Sequence, residues 1–242
     1  MTTKPKAIFS WSGGKDSAYA LHKVLMEGKY DVTYLLTTIN KKAERVSLHG
    51  YRETLLDAQS LSINIPLIKI YITDSSNEGY EKAMRETLLN VKNEGIEYVI
   101  FGDIFLEDLR LYRENKMKET GIKPIFPLWK MNTSELLNDF LAKKFKTIIC
   151  CISDGLLTKN WVGVEITKTT INQFPSNIDP CGENGEYHTF CFDGPIFQYP
   201  IEFAVGEKIY MPLEIETTNE SFVNGFWYCD LIPTNNILKE DA

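Results

Sequence analysis

Residue types that could do chemistry are concentrated in three short stretches of this 242-residue sequence. The first spans residues 10–17 and reads Ser-Trp-Ser-Gly-Gly-Lys-Asp-Ser. Its two adjacent glycines let a ligand approach the backbone closely, because no Cβ stands in the way. A helix that starts here would add free N–H groups and the positive end of its dipole. Together with Lys15 and the hydroxyls of Ser12 and Ser17, these groups predict a phosphate-binding loop.

This loop differs from the commonest phosphate-binding motifs. A Walker A loop requires a glycine where this sequence has Phe9, and a serine or threonine where Asp16 follows the lysine. The G-x-G-x-x-G pattern does not fit either. The alternative is an ordinary glycine-rich turn into a helix. The full string Ser-Gly-Gly-Lys-Asp-Ser, between an apolar run and a helical pattern, favours a functional site.

The second stretch follows another apolar run and begins with a Gly-Asp pair at Asp103. This carboxylate would lie at the carboxyl edge of a sheet, where it could bind Mg²⁺ beside phosphates or cap the next helix, and the sequence leaves both open. Arg110 and Arg113 lie about one helical turn apart, so either could reach a phosphate or a substrate carboxylate. The alternative is pairing with Glu107 and Glu114 on a solvated helix face, which we favour for Arg113.

The third stretch, residues 179–191, crowds polar side chains into a loop with two glycines. These side chains are Cys181, Glu183, Asn184, Glu186 and His188. Such a loop has little apolar burial to justify it, so a site is a better explanation than packing. Glu183 and Glu186 could hold an ammonium ion or take its proton, and His188 could orient a carboxylate or act as a base. We expect Cys181 to be structural.

Strands alternating with helices imply parallel strands joined by right-handed crossovers. Apolar runs predict strands over residues 7–10, 32–36, 67–72, 98–101 and 147–152. Helical spacing predicts helices over residues 16–26, 51–62, 80–91, 106–112 and 133–145, the last capped by Thr133 or Ser134. The first two thirds of the chain therefore predict an α/β fold with an open, doubly wound, mostly parallel sheet. Ligands of such sheets bind beyond the carboxyl ends of the strands.

The pattern changes after about residue 160, where Gly, Pro and Asn become frequent and helical periodicity fades. Apolar runs over residues 189–192, 201–205 and 226–232 predict further short strands. We expect a smaller α+β region here, appended to the parallel sheet.

The composition disfavours several classes of protein. The 26 basic and 33 acidic residues give a net charge of −7, whereas a dedicated nucleic-acid binder usually shows a basic excess. The five cysteines form no C-x-x-C pair, so neither a zinc ribbon nor a thioredoxin-type site is indicated. No run approaches the length of a membrane-spanning helix, and the charged start lacks the features of a secretory signal. We expect a cytoplasmic protein with no membrane partner.

The loop at residues 10–17 resembles the signature of the PP-loop ATP pyrophosphatases, which include GMP synthetase, argininosuccinate synthetase, NAD synthetase and the tRNA thiolases. Members of this superfamily split ATP into AMP and pyrophosphate. They use the adenylate to activate a carboxyl, carbonyl or similar oxygen. This resemblance implies nucleotide chemistry but no particular substrate.

Further motifs in the same order make the resemblance more specific. They are Gly102-Asp103-Ile104, Pro127-Leu128-Trp129 and the Gly-Glu-Asn-Gly-Glu string at residues 182–186. With them the sequence is similar to the diphthine–ammonia ligase family from about residue 6 to residue 197. The family implies amidation of diphthine on elongation factor 2: ATP adenylates the carboxylate, pyrophosphate leaves, and ammonia displaces AMP. We expect free ammonia, because the chain is too short to include a glutaminase domain.

These considerations assign a role to each candidate residue. The expected catalytic residues are Lys15, Asp16, Asp103, Glu183, Glu186 and His188. ATP is expected to contact Ser10, Ser12, Gly13, Gly14, Lys15, Asp16, Ser17, Thr37, Thr38 and Gly102, with Mg²⁺ on Asp16 and Asp103. The acceptor and the amine are expected to contact His49, Arg110, Glu183, Asn184 and Glu186. Residues 1–130 would form the ATP-binding PP-loop domain, and residues 131–242 the C-terminal substrate-binding region.

One segment departs from the family pattern. Archaeal and eukaryotic members carry a His followed by Thr, one variable residue and Asn, whereas residues 48–52 read Leu-His-Gly-Tyr-Arg, so only His49 matches. This segment could line the acceptor pocket. The acceptor is therefore diphthine on elongation factor 2 or, for a bacterial member, another carboxylate such as a small molecule.

Two other functions remain as alternatives. One is a tRNA-modifying PP-loop enzyme, which the negative charge disfavours. The other is a regulatory module that binds a nucleotide without catalysis, which would have little need of the polar cluster at residues 179–191. The ligase hypothesis requires this cluster to meet the loop at residues 10–17 in one chain or across a homodimer.

Overall fold

The computed structural model describes residues 4–73, 77–212 and 225–234. Its elements in chain order are β1 (Lys6–Ser10), α1 (Lys15–Glu27), β2 (Asp31–Asn40), β3 (Arg45–Val46), α2 (Glu53–Ile63), β4 (Leu67–Ile72), α3 (Asn77–Asn93), β5 (Ile96–Ile100), α4 (Glu107–Thr120), β6 (Lys123–Ile125), α5 (Thr133–Ala142), β7 (Lys146–Ser153), α6 (Lys168–Ile171), β8 (Tyr187–Asp193), β9 (Phe203–Pro212) and β10 (Gly225–Pro233).

The first sheet contains β1 at its centre, flanked by β2 on one side and β5 on the other, with both pairings parallel. β4 extends the sheet beyond β2, and β6 extends it beyond β5. The short β3 pairs antiparallel with the end of β2. β1 can occupy the centre because Ala7, Ile8 and Phe9 are apolar on both faces and fully buried.

Helices cover both faces of this sheet, as a doubly wound fold requires. Buried side chains of α3 and α4, including Leu88 and Met117, pack with Ile8 on one face. Buried side chains of α1 and α2, including Leu21 and Leu55, pack on the other face. The chain order reverses between β1 and β5, so a ligand is expected at the carboxyl ends of these two strands.

The second sheet has the order β8-β7-β10-β9, and its described pairings are antiparallel. Its presence confirms the predicted fold class, a mostly parallel α/β sheet with a smaller C-terminal α+β region. The assignment of residues 147–152 to the parallel sheet was wrong, because β7 pairs antiparallel with β8 and β10. β7 is buried almost throughout, and a continuous apolar run does not indicate whether its strand pairs parallel or antiparallel. That depends on its partners β8 and β10, which come later in the chain.

Two local details also differ from the sequence interpretation. Asn132, rather than Thr133 or Ser134, caps α5, because its side chain accepts a hydrogen bond from the Glu135 N–H at 3.0 Å. β2 continues to Asn40, so Thr37 and Thr38 lie within the strand instead of at its end. Among the residues that the structure describes, no helix is both long enough and apolar enough to cross a membrane.

Candidate active site

The loop at residues 10–17 joins β1 to α1 at the reversal point of the first sheet. Gly13 adopts a φ of 72°, and Gly14 caps the helix, whose first hydrogen bond runs from the Ala18 N–H to the Gly14 carbonyl at 3.0 Å. A Cβ on Gly13 would overlap the Tyr51 hydroxyl. A glycine is therefore needed at this position both for the backbone angle and for space.

Side chains and backbone groups from distant elements hold this loop. The Tyr51 hydroxyl donates to the Ser12 carbonyl at 2.8 Å, and the Cys191 N–H of β8 donates to the Gly13 carbonyl at 2.8 Å. The Lys15 N–H donates to the Thr189 hydroxyl, also on β8, at 3.0 Å. The phosphate loop follows β1 of the first sheet, but it is also held by β8 of the second sheet.

Lys15 is the point at which the first and third polar stretches meet. Its side chain is 2% exposed, and its ammonium group lies 2.7 Å from an Asp16 oxygen and donates to the Cys181 carbonyl. Burial alone would lower the pKa of Lys15, but Asp16, Tyr187 and Cys181 together outweigh it, so the pKa lies above its ordinary value. The lysine is therefore charged at neutral pH. The predicted contact between residues 10–17 and 179–191 is confirmed within one chain.

The two stretches border a cleft of about 960 Å³. Most of the predicted site residues line it: Ser10, Ser12, Lys15, Asp16, Ser17, Thr37, Thr38, His49, Gly102, Asp103, Glu183, Asn184 and His188. Four predicted residues lie outside this lining: Gly13, Gly14, Arg110 and Glu186. Such a volume is in the range of nucleotide-sized ligand pockets. The hydroxyl of Thr37 donates to the Trp11 carbonyl at 2.6 Å, so this threonine also fixes the strand end beneath the loop.

Glu183 extends from the third stretch into the cleft. Its carboxylate accepts hydrogen bonds from the Ile104 N–H at 2.9 Å and the Phe105 N–H at 3.3 Å, in the loop between β5 and α4. Burial raises the pKa of Glu183 to about 7, although these two N–H groups oppose the shift. A carboxyl group with this pKa can exchange a proton near neutral pH.

Glu186, only three residues further on, has the opposite orientation. It is 3% exposed, and its carboxylate accepts from the Asp179 N–H at 2.9 Å and from the Asn184 N–H at 3.0 Å. These bonds close the loop on itself. The expected contact of Glu186 with the amine does not fit this geometry, because its oxygens are committed to the backbone of its own loop. Sequence spacing could not reveal which of the two carboxylates turns inward.

His49 and His188 lie side by side in the cleft, with ring centroids 4.9 Å apart. His49 Nδ1 lies 2.9 Å from the Thr189 carbonyl, which can only accept, so Nδ1 carries the proton. Burial lowers the pKa of His49 to about 4 and that of His188 to about 3. Both rings are neutral at physiological pH. His188 is consequently a poor base for ammonium, which leaves Glu183 as the better-matched proton acceptor.

Asp103 pairs with Arg113, and both side chains line the cleft. The guanidinium Nε lies 2.6 Å from the carboxylate, and the guanidinium carbon lies 4.3 Å from the centre of the Phe101 ring. The alternative role of Asp103 as the cap of α4 was wrong, since Leu106 occupies that position. The expected pairing of Arg113 with glutamates was also wrong. The aromatic ring and the strand-end carboxylate draw this arginine inward, which sequence spacing does not reveal.

Arg110 pairs with a glutamate of its own helix, which is the alternative to substrate binding that the sequence left open. Its Nε lies 2.7 Å from a carboxylate oxygen of Glu114, and its guanidinium carbon lies 4.9 and 4.6 Å from the ring centres of Phe126 and Trp129.

Cys181 is buried, and its thiol donates to the Thr133 carbonyl at 3.3 Å. Burial raises the pKa of the Cys181 thiol, which agrees with a structural role.

The carboxylates of Asp16 and Asp103 are the candidates for Mg²⁺. Within the described residues, no group of three or more His, Cys, Asp or Glu side chains could hold a metal ion alone. Mg²⁺ in nucleotide sites uses one or two carboxylates together with phosphate oxygens and water, so these two residues fit that arrangement. Each carboxylate is otherwise balanced by a cation, Lys15 or Arg113.

The fold and the site first define a class: a parallel α/β sheet with a glycine-rich loop of the kind that binds nucleotide phosphates at its reversal point, beside a cleft lined by charged side chains of both signs. A family model described as diphthamide synthase N-terminal domain matches residues 5–124, and one described as diphthamide synthase C-terminal domain matches residues 132–220. The chain belongs to this family. The predicted resemblance to diphthine–ammonia ligases is confirmed, and with it the prediction of an enzyme that forms a carbon–nitrogen bond.

Two relatives named diphthine–ammonia ligase agree with the family assignment. The diphthine–ammonia ligase of Mus musculus is 30% identical over an alignment of 221 residues, and the match covers 82% of each chain. That of Rattus norvegicus is 28% identical over the same share of both chains. Among solved structures, a predicted subunit of tRNA methyltransferase from Methanocaldococcus jannaschii aligns with a TM-score of 0.40 and 16% identity, over 61% of this chain and 80% of that one.

Proposed function

We propose that this protein binds ATP in the cleft, transfers AMP to a carboxylate acceptor and replaces the AMP by ammonia to give an amide. The observation that carries the proposal is the meeting of Lys15 with the loop that bears Glu183. One loop suits the departing pyrophosphate, and the other brings a proton acceptor into the same cleft. A nucleotide sensor would need the first loop but not the second.

In the first step the acceptor carboxylate attacks the α-phosphorus, and the bond from that phosphorus to the bridging oxygen of the β-phosphate breaks. Negative charge develops on pyrophosphate. Lys15 supplies a fixed positive charge, and the first turn of α1 supplies N–H groups, at Asp16 and Ser17, that have no partner within the helix. Mg²⁺ on Asp16 and Asp103 would neutralise further phosphate charge when bound. The hydroxyls of Ser12 and Ser17, 3.1 Å apart, can turn toward the phosphates.

In the second step ammonia attacks the acyl carbon, the bond between that carbon and the AMP oxygen breaks, and the nitrogen gives up one proton, which a phosphate oxygen of the departing AMP can accept. Ammonium must first lose a proton, because its nitrogen has no free electron pair. Glu183 accepts this proton, since its carboxylate lines the cleft and its pKa lies near 7. Because the rings of His49 and His188 are neutral, they add no positive charge that would repel an arriving ammonium ion before Glu183 takes its proton.

The acceptor is diphthine on elongation factor 2 if this chain acts like its named relatives, and another carboxylate if it comes from an organism without diphthamide. His49 and its neighbours line the cleft beside the loop and would contact this acceptor. Action in the cytoplasm and assembly as a homodimer stay predictions.

Product analysis tests the proposal. The purified protein is incubated with Mg-ATP, ammonium and candidate carboxylates, including elongation factor 2 that carries diphthine. AMP and pyrophosphate that appear only with ammonium and one acceptor support the ligase. ADP and phosphate, or intact ATP with every acceptor, disprove it.

A further inference from the structure

Gln59 of α2 is a buried amide in contact with the phosphate loop, and the ligase chemistry proposed above gives it no role. Its side chain is fully buried, at 0% exposure. It makes three hydrogen bonds, all to groups distant in sequence. The Trp11 indole N–H donates to its oxygen at 3.0 Å, and its nitrogen donates to the carbonyls of Gly13 at 3.0 Å and Cys191 at 2.6 Å.

The orientation of this amide is unambiguous. An indole N–H can only donate, and a peptide carbonyl can only accept. The oxygen of Gln59 must therefore face Trp11, and its nitrogen must face the two carbonyls. A flipped amide would set its oxygen against the two carbonyl oxygens and its N–H donors against the indole N–H. The amide thus ties the end of β1, the loop and β8 together through one side chain.

The carbonyl of Gly13 is the key group in this network. Gln59 Nε2 and the Cys191 N–H both donate to it, so it is held firmly on the buried side of the loop. In a trans peptide the C=O and the next N–H point in opposite directions. The Gly14 N–H is therefore directed away from Gln59, toward the Ser12 hydroxyl, which accepts it at 3.3 Å and lines the cleft.

We propose that Gln59 is a positioning residue that sets the Gly13–Gly14 peptide so that the Gly14 N–H faces the departing pyrophosphate. This inference rests on the proposed function for its catalytic meaning, but the hydrogen bonds exist without a ligand. Gly14 itself lies outside the cleft lining, and its N–H reaches the cleft through the Ser12 hydroxyl, whose place a phosphate oxygen would take when pyrophosphate binds. Gly13 permits the arrangement, because a Cβ there would lie 2.5 Å from the Gln59 oxygen.

Ser62 provides a matched control. It lies on the same helix, is also fully buried, and also ties α2 to the C-terminal part of the chain, since its hydroxyl donates to the Tyr199 carbonyl at 2.5 Å. It does so away from the phosphate loop. Gln59→Met and Ser62→Ala therefore both remove buried hydrogen bonds from α2, but only Gln59→Met frees the loop.

The test measures binding of inorganic pyrophosphate by calorimetry, and hydrogen exchange of the peptide spanning residues 10–17 in the ligand-free protein. Gln59→Met is expected to weaken pyrophosphate binding by about tenfold or more and to speed exchange in this peptide. Ser62→Ala is expected to lower the thermal stability without either effect. If Gln59→Met does not fold, Gln59→Asn, which keeps the amide but shortens its reach, is expected to change both readouts in the same direction.

Unchanged binding and exchange in the Gln59 variants would overturn the inference, as would equal changes in Ser62→Ala, which would mean general loosening. The two proposals fail separately. A wild-type protein that binds pyrophosphate but forms no AMP from ATP disproves the ligase chemistry and leaves the role of Gln59 intact. A wild-type protein that does not bind pyrophosphate disproves both.

Discussion

The two loops that meet at Lys15 keep their shapes by different means. The phosphate loop depends on other elements: Tyr51 and Gln59 near α2, and Cys191 on β8, hold its carbonyls. The loop at residues 179–191 is also tied to other elements, at Thr133 and Ser153, but it carries an acceptor of its own. The Glu186 carboxylate accepts hydrogen bonds from two N–H groups of the same segment. Both loops are therefore vulnerable to changes far away in the sequence, and the second is vulnerable also to a change of the acceptor within its own motif.

This difference follows from what each loop must present. A phosphate site needs N–H groups turned outward, so its carbonyls must find donors behind it. The acidic loop must expose one carboxylate, Glu183, and it can use the other, Glu186, as an internal acceptor. Two chemically identical side chains in one short motif thus have different hydrogen-bond partners, Glu183 at the end of β5 and Glu186 within its own loop.

The largest effect is expected at the meeting point itself. Lys15→Met should lower the rate of AMP formation by about 10²–10³-fold, because it removes the fixed positive charge opposite the departing pyrophosphate. Lys23→Met on the same helix is the control and should leave the rate unchanged. Both variants are compared by product analysis under saturating ATP. A Lys15 variant with a near-normal rate would show that the phosphates lie elsewhere.

The next effect separates the two glutamates. Glu183→Gln should lower the rate of amide formation by about 100-fold while ATP binding persists, because the amide cannot accept a proton. The pKa of Glu183 is raised to about 7, so the base form is lost as the pH falls below 7. Wild-type activity should therefore fall as the pH is lowered below 7, and the activity of the variant should not show this acidic limb of the pH–rate profile. Rates are measured from pH 5.5 to 8.5, a range of about 1.5 units on either side of that pKa. An unchanged limb would assign the proton transfer to another group.

Glu186→Gln tests the other side of the comparison. In wild type the carboxylate accepts hydrogen bonds from two backbone N–H groups, and in the variant the amide nitrogen would face one of these donors. The free energy of unfolding should therefore fall by about 2 kcal/mol. Denaturant unfolding measures this loss. The protein that remains folded should keep the pH limb assigned to Glu183. Loss of that limb with unchanged stability would mean that Glu186, not Glu183, transfers the proton.

Much of this arrangement was predictable from local patterns. β4 has the predicted bounds, and the string at residues 10–17 was placed between the correct strand and helix. The order of apolar and helical runs was sufficient for a doubly wound sheet. Local patterns succeed here because parallel strands, crossover helices and glycine turns each leave a mark in neighbouring residues.

Contacts between distant residues left no such mark. Gln59 reads as an ordinary polar residue of a helix, yet it is fully buried against Gly13 and Cys191. The apolar run of β7 fits a parallel or an antiparallel sheet equally well. Arg113 pairs with a carboxylate ten residues earlier only because α4 folds back over the end of β5. These features depend on the tertiary fold, which periodicity does not encode.

The smallest effect concerns the attachment of the second sheet to the His49 segment. Asp230 of β10 lies 2.7 Å from Arg52 and 2.9 Å from Arg45, and their hydrogen bonds lower its pKa to about 2. A carboxyl group with a lowered pKa stabilises the fold above its unfolded pKa of about 4, and this stabilisation is lost as the pH falls toward 2.

Asp230→Asn should therefore cost about 1 kcal/mol of unfolding free energy near pH 7, a modest value because Arg52 is partly exposed. The difference from wild type should shrink as the pH is lowered from about 4 toward 2. Urea unfolding at several pH values measures it, with Asp31→Asn on the exposed start of β2 as the control. A difference in unfolding free energy that stays constant with pH would mean that Asp230 stabilises the fold by packing and not by its charge. The second sheet would then be attached to the loop-bearing half of the chain by packing alone.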